Sequence, residues 1–329
     1  MNIFRIFLYL ILFTSTLIVP ACDRLDMYDI ANGKSRTAYA IAYDGVNYTL
    51  ILANVYYIKS FKLASGLSTP SGISVNNKGE IILFTPSATI SILNDLTTWT
   101  ILTSQPTDTN VIGFNESFIC FDLTNFYINQ LLDNNVWTQT IGSFPTNSLG
   151  IFKGNNSEIF IVEPNATNVN LYSMNNPINP ILTATIGVSL VNPFGGYKTK
   201  NYFYIWYNDI VNSIFRITQS TSITLNPTTA IGNSLIDLAV TDDDKVFAIV
   251  SDTGQYYLKQ IISDNNYPTL LNLGSTGNFF IDSLDNNHLV ITSSGADTNY
   301  NGVIIYNIDD NKIEKHVTTT NVIALYVLR

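Results

Sequence analysis

A strand–turn–strand unit recurs about every forty residues along this chain, and that recurrence constrains the fold more than any other feature. The clearest copies are "GISVNNKGEIILFT" (72–85), "GIFKGNNSEIFIVE" (150–163), "LAVTDDDKVFAIVSD" (238–252) and "FIDSLDNNHLVITSS" (280–294). Two weaker ones are "VIGFNESFICFD" (111–122) and "GGYKTKNYFYIWYND" (195–209). The second strands begin near Glu80, Ser117, Glu158, Tyr202, Lys245 and His288, at spacings of 37, 41, 44, 43 and 43 residues. A third strand follows each, such as "SIFRITQ" or "GVIIYNI", and usually a fourth, such as "WTILTS". Four short strands per period predict an all-β, seven-bladed β-propeller, with six or eight blades as the fallback. One unit cannot bury both of its faces, so neighbours must stack around an axis.

The ends of the chain fit this scheme. "TAYAIAY", "YTLILAN" and "YYIKSFKL" supply three strands before the second unit starts, and "NVIALYVLR" (321–329) is a spare strand after the last. The spare strand is expected to become the innermost strand of the first blade. Pairing the N- and C-terminal strands closes the ring and removes an open edge. Two β-sandwiches would also have many short strands, but not one period sustained throughout.

Composition adds the rest of the frame. Hydrophobic residues make up 46% of the chain and charged ones 12%, enough to build a core. The net charge of −9 repels phosphate backbones, so nucleic acid is excluded as a partner. Residues 1–22 read as a signal peptide: Arg5 is the positive n-region and "IFLYLILFTSTLIV" an apolar core short for a membrane span. "VPAC" then resembles a bacterial lipobox, in which Cys22 would be acylated and become the mature N-terminus; an ordinary secretory signal is the alternative. Residues 23–36 are polar and read as a flexible tether, leaving 37–329 as one domain. Cys120, in "SFICFD", is expected to be a buried small hydrophobe, with a Cys22–Cys120 disulfide as the competing reading. The expected location is therefore a membrane on its extracytoplasmic side, at the cell surface or in the periplasm.

"TPSGISVNNKGEIILFT" resembles a blade of the NHL-type propellers: a proline, a glycine–aliphatic pair, a polar turn ending in Gly and an aliphatic strand. In that pattern the second strand commonly ends in Asp, and Asp252 of "VFAIVSDTGQYYLKQI" matches. The resemblance implies a binding platform, although a few such propellers are metal-dependent hydrolases or lyases. "NDLTTW" (94–99) is similar to the Asp-box turn of sialidase-like propellers, with Asn94 in place of its Asp and Leu96 in place of its Gly.

Acids are the candidate functional residues. Asp242, Asp243 and Asp244 fall in a first-to-second-strand turn whose counterparts carry Asn, Gly, Lys and Ser, so they read as turn chemistry. They lack the spacing of a calcium loop. Asp44, Asp122, Glu163, Asp209, Asp252 and Asp297 each end a second strand or lie in the loop after it, and a propeller would gather them on one face. Each caps its own turn, or together they hold a basic partner or a divalent cation such as calcium. Tyr207, beside Asn208 and Asp209, is a candidate ligand contact, while Trp99 and Trp137 read as packing between blades. With only two histidines, His288 and His316, far apart in the repeat, no zinc cluster or Ser–His–acid set is expected, and no catalytic residue is assigned. The reading is a non-catalytic platform for a protein or carbohydrate partner, with no cofactor; the alternative is a carboxylate- or calcium-dependent hydrolase or lyase. A platform predicts a central funnel lined by Ser, Thr, Asn and aliphatics; an enzyme predicts a deep pocket in which carboxylates converge.

Overall fold

In a computed structural model the chain is described over residues 36–328, apart from 86–89, 94, 102–109, 122–124, 132–136, 144–149, 155–158, 165–168, 175–180, 187–194, 208–212, 218–221, 228–233, 264–265, 295–299 and 320. The described residues form 28 strands in seven four-stranded antiparallel meanders. The first joins β1 (Thr37–Tyr43), β2 (Tyr48–Ala53) and β3 (Ile58–Lys62) to the final strand β28 (Val322–Leu328). The second is β4 (Gly72–Val75), β5 (Ile81–Phe84), β6 (Ile90–Leu93) and β7 (Trp99–Ile101); the third is β8 (Asn110–Phe114), β9 (Ser117–Phe121), β10 (Asn125–Leu131) and β11 (Trp137–Ser143). The fourth and fifth run β12 (Gly150–Gly154), β13 (Ile159–Pro164), β14 (Val169–Met174), β15 (Ile181–Ile186) and β16 (Gly195–Lys198), β17 (Phe203–Tyr207), β18 (Ser213–Ile217), β19 (Ser222–Pro227). The sixth is β20 (Ser234–Val240), β21 (Val246–Asp252), β22 (Gln255–Ile261) and β23 (Thr269–Gly274), and the seventh β24 (Asn278–Ser283), β25 (His288–Ser294), β26 (Gly302–Asn307) and β27 (Lys312–Val317).

The period-two alternation of each strand sends its side chains to two different neighbours, which is why the meanders stack. Seven apolar clusters each join one meander to the next, and the seventh joins the last to the first. In β1 the alanines Ala38, Ala40 and Ala42 pack toward Val290, Val303 and Ile305 of the seventh meander, while Tyr39 and Ile41 pack toward Val75 and Leu83 of the second. Similarly, Tyr204 and Trp206 of β17 join the sixth meander, and Phe203 and Ile205 join the fourth. Where inner strands β12 and β16 touch they pair in parallel, Lys153 with Tyr197 and Gly154 with Lys198, as strands running the same way along one axis must. The ring closes through antiparallel pairing of β1 with β28, from Thr37 opposite Leu328 to Ala42 opposite Val322. These features define a β-propeller.

Two of the first-to-second-strand turns share one geometry. Thr241 N donates to Lys245 O and Asn76 N to Glu80 O, and the fourth position is left-handed in both: Gly79 at φ 80° and Asp244 at φ 66°. Asp tolerates that conformation better than most side chains, so Gly and Asp exchange there. Asn76 Oδ1 accepts the amides of Lys78 and Glu80, and Thr241 Oγ1 accepts that of Lys245. Cys120 is buried in β9 among Val111, Phe118 and Ile82, as expected of a core thiol.

Candidate functional site

Six of the seven innermost strands surround an axial cavity of about 300 Å³, bordered by residues of β8, β12, β16, β20, β24 and β28 and by Trp206 of β17. Of the expected lining of Ser, Thr, Asn and aliphatics, the aliphatics are present, Val111, Leu238, Val240, Ile281 and Leu325 among them, but charged and aromatic residues stand where Ser, Thr and Asn were expected. The wall carries Lys153, Asp237 and Asp282 with the rings of Phe152, Tyr197, Trp206 and Tyr326. These residues come from inner strands, and the signal that finds them is a charge inside an otherwise apolar first strand: "GIFKG", "SLIDLAV" and "FFIDSL".

Asp237 is a strongly perturbed group of this wall. A register shift between Leu235 and Asp237 re-aims the strand, as a bulge does. Its Oδ1 accepts the amide of Leu238 at 2.8 Å and its Oδ2 that of Ile281 at 2.9 Å, so one carboxylate ties β20 to β24. By surface area the side chain is half-buried, and the surface it keeps faces the cavity. Burial pushes its pKa up to about 7, and the two backbone hydrogen bonds only partly oppose this. Asp282, on β24, holds the amide of Ser283 through its Oδ1 at 2.8 Å. Lys153 reaches from the fourth meander to the first: its Nζ donates to Val327 O at 3.1 Å and lies 3.0 Å from the centre of the Tyr326 ring. Burial raises the Tyr326 phenol above its ordinary range, although hydrogen bonds from its surroundings oppose this. Trp206, 7% exposed, packs over the Cβ-less Gly195, and its indole Nε1 has no hydrogen-bond partner among the described residues.

The acids predicted for one face are partly described. Asp44 sits in the exposed turn after β1, where its Oδ1 accepts the amides of Asn47 (2.7 Å) and Val46 (2.8 Å), which hold its carboxyl below the usual range. Glu163, on β13, accepts hydrogen bonds from Asn170 Nδ2 and Tyr172 OH, both at 2.8 Å. Asp252 ends β21 at the turn into β22. These three belong to the first, fourth and sixth meanders, at the ring end opposite the first-to-second-strand turns, and among the described residues no hydrogen bond joins one to another. Asp122, Asp209, Asp297 and Cys22 lie outside the described residues, as does the side chain of Tyr207, whose backbone pairs with Ser213. Trp99 packs in the cluster between the first and second meanders and donates its Nε1 to Ala64 O at 3.3 Å. Beside it, Asp95 accepts from the hydroxyls and amides of Thr97 and Thr98, which bring its pKa down to about 2.

The Asp242–Asp244 turn does more than cap itself. Asp242 pairs with Arg36 NH2 at 2.5 Å, and Arg36 NH1 donates to Ser283 Oγ at 3.2 Å. The amide of Asp243 donates to Asn286 Oδ1 of the seventh meander at 3.1 Å. Asp244 accepts from Thr199 Oγ1, Asn201 Nδ2 and Tyr204 OH of the fifth at 2.6, 2.8 and 3.1 Å. The carboxylates of Asp242 and Asp244 and the amide of Asp243 therefore clasp neighbouring meanders and the start of the domain, while the Asp243 carboxylate holds Thr241 and Lys245 of its own turn. Of the two histidines, His288 lies between Asp285 and Glu314, and His316 Nε2 meets Asn301 O. Among the described residues, no three of His, Cys, Asp and Glu are grouped to hold a metal ion.

Neither protein-family models nor curated proteins match the chain. Solved structures do. A protein from Lactobacillus plantarum is 10% identical, with a TM-score of 0.59 over 90% of this chain and 100% of that one. The β-propeller domain of Cps50 (Swd1) from Myceliophteria thermophila is 10% identical, with a TM-score of 0.53 over 83% and 97%. Virginiamycin B lyase from Staphylococcus aureus is 16% identical, with a TM-score of 0.51 over 77% and 85%. At these identities the likeness is one of fold, and the fold is the β-propeller.

Proposed function

We propose that this chain is an exported, lipid-anchored propeller that serves as a non-catalytic binding platform for a protein or glycan partner. The observation that carries the reading is the seat of Arg36, the first described residue. Its amide donates to Leu284 O and its guanidinium grips Asp242 and Ser283, all at the end of the ring formed by the first-to-second-strand turns. A tether ending there and anchored through Cys22 turns that end toward the membrane. The opposite end, with the turns of Asp44, Glu163 and Asp252, then faces outward for a partner. The test has two arms. Cys22→Ala is expected to move the protein from the membrane fraction to the soluble one. Neutralising Asp122, Glu163 and Asp252 together is expected to weaken capture of a basic partner at low salt more than at high salt; unchanged capture leaves those acids as turn caps only.

The alternative, a carboxylate- or calcium-dependent hydrolase or lyase, draws on the presence of Asp237 and Asp282 in one cavity wall. Calcium that binds the folded chain raises its melting temperature, and a melt unmoved by calcium removes the metal-dependent form of this reading.

A further inference from the structure

The axial cavity is partly open, mixed in character and used by none of the groups assigned to the outer faces. We propose that it is a binding site for a small molecule carrying a protonated amine, with Asp237 as the counter-ion. Each Asp237 oxygen accepts one backbone amide and keeps a second lone pair for a ligand. Asp282 adds negative charge to the same wall, and the Tyr197 and Trp206 rings offer the aromatic faces that ammonium groups favour. The chain itself shows the cavity accepting an ammonium, since Lys153 Nζ lies against the Tyr326 ring. A volume of about 300 Å³ suits a ligand of a few heavy atoms rather than a chain.

Binding of a cation requires Asp237 ionised, and its carboxyl titrates near neutrality, so affinity rises with pH. The charged and titratable groups that border the same cavity are Lys153, Asp282, Tyr197 and Tyr326. Between about pH 6 and about pH 8 the ionised fraction of a group titrating near 7 rises about tenfold. The probe is ethanolamine, which stays protonated over that range, and its uncharged counterpart ethylene glycol is the control, titrated calorimetrically into the full chain in detergent. Ethanolamine is expected to bind about tenfold more tightly at the higher pH, Asp237→Asn to abolish binding, and ethylene glycol not to bind. Absence of ethanolamine binding near pH 8, equal affinity at both pH values, or undiminished binding to a folded D237N overturns the proposal. If D237N does not fold, the wild-type pH dependence decides alone. The cavity lining shares no residue with Asp122, Glu163 and Asp252, so the platform reading and this one fail independently.

Discussion

Replacing Asp237 with Asn tests how the axial wall is held. The folded chain raises this carboxyl from 3.8 to about 7 through burial. An acid whose pKa is raised on folding holds its proton better folded than unfolded. Stability is therefore greatest below the unfolded value, falls as pH rises from about 4 to about 7, and is level above that. Keeping Asp237 ionised above neutrality costs the folded state up to about 4 kcal/mol. Asn carries no charge, but its NH2 turns away one of the two amides, Leu238 or Ile281, that the carboxylate accepts. That loss costs about 1–2 kcal/mol. The net expectation is a variant more stable than wild type by about 2 kcal/mol near pH 8, a rise of about 3–6 °C in melting temperature. Near pH 5, where the wild-type carboxyl is already protonated, the two should agree within about 1 kcal/mol. Thermal melts of both proteins across this range, compared as differences, measure the effect. A difference that stays constant with pH, or that favours wild type more strongly near pH 8, refutes the account of Asp237 as a costly buried charge.

Three further outcomes follow from the same geometry. Asp244→Ala removes the acceptor shared by Thr199, Asn201 and Tyr204 and places Ala at φ 66°, so urea denaturation should show a loss of about 2–4 kcal/mol, whereas Asp244→Asn should cost less. Gly113→Ala places a Cβ 1.9 Å from Val75 O and 2.8 Å from the Tyr326 hydroxyl; it should destabilise by about 2–4 kcal/mol on the same measurement, and a neutral result means that β8 shifts freely. Deleting residues 321–329 strips β1 of its inner partner and should turn a cooperative melt into aggregation, seen by light scattering; a soluble, cooperatively folding truncation shows that the ring does not depend on this closure.

The repeat was readable because its cause is local. Apolar alternation and Asn-, Asp- or Gly-rich turns are properties of a dozen consecutive residues, and the second strands begin at Ile81, Ser117, Ile159, Phe203, Val246 and His288, each within a residue of the position read from the pattern. The closing strand was readable by elimination, since 322–328 had no partner nearby and β1 lacked an inner neighbour. The axial wall was not. Lys153, Asp237 and Asp282 are separated by whole repeats and form no linear motif. The acids that end second strands recur from repeat to repeat, whereas the charges inside inner strands occur singly.

What the amino-acid order determined by itself was strand length, turn type and the two-faced alternation, because these follow from backbone sterics and burial over a few residues. Only the closed ring decided which charges meet. Bringing the inner strands around one axis borders a small volume, and there a carboxylate loses water it would keep on any single meander, which is why burial raises the Asp237 pKa to about 7 while Asp95, in an open turn of the same chain, stays low.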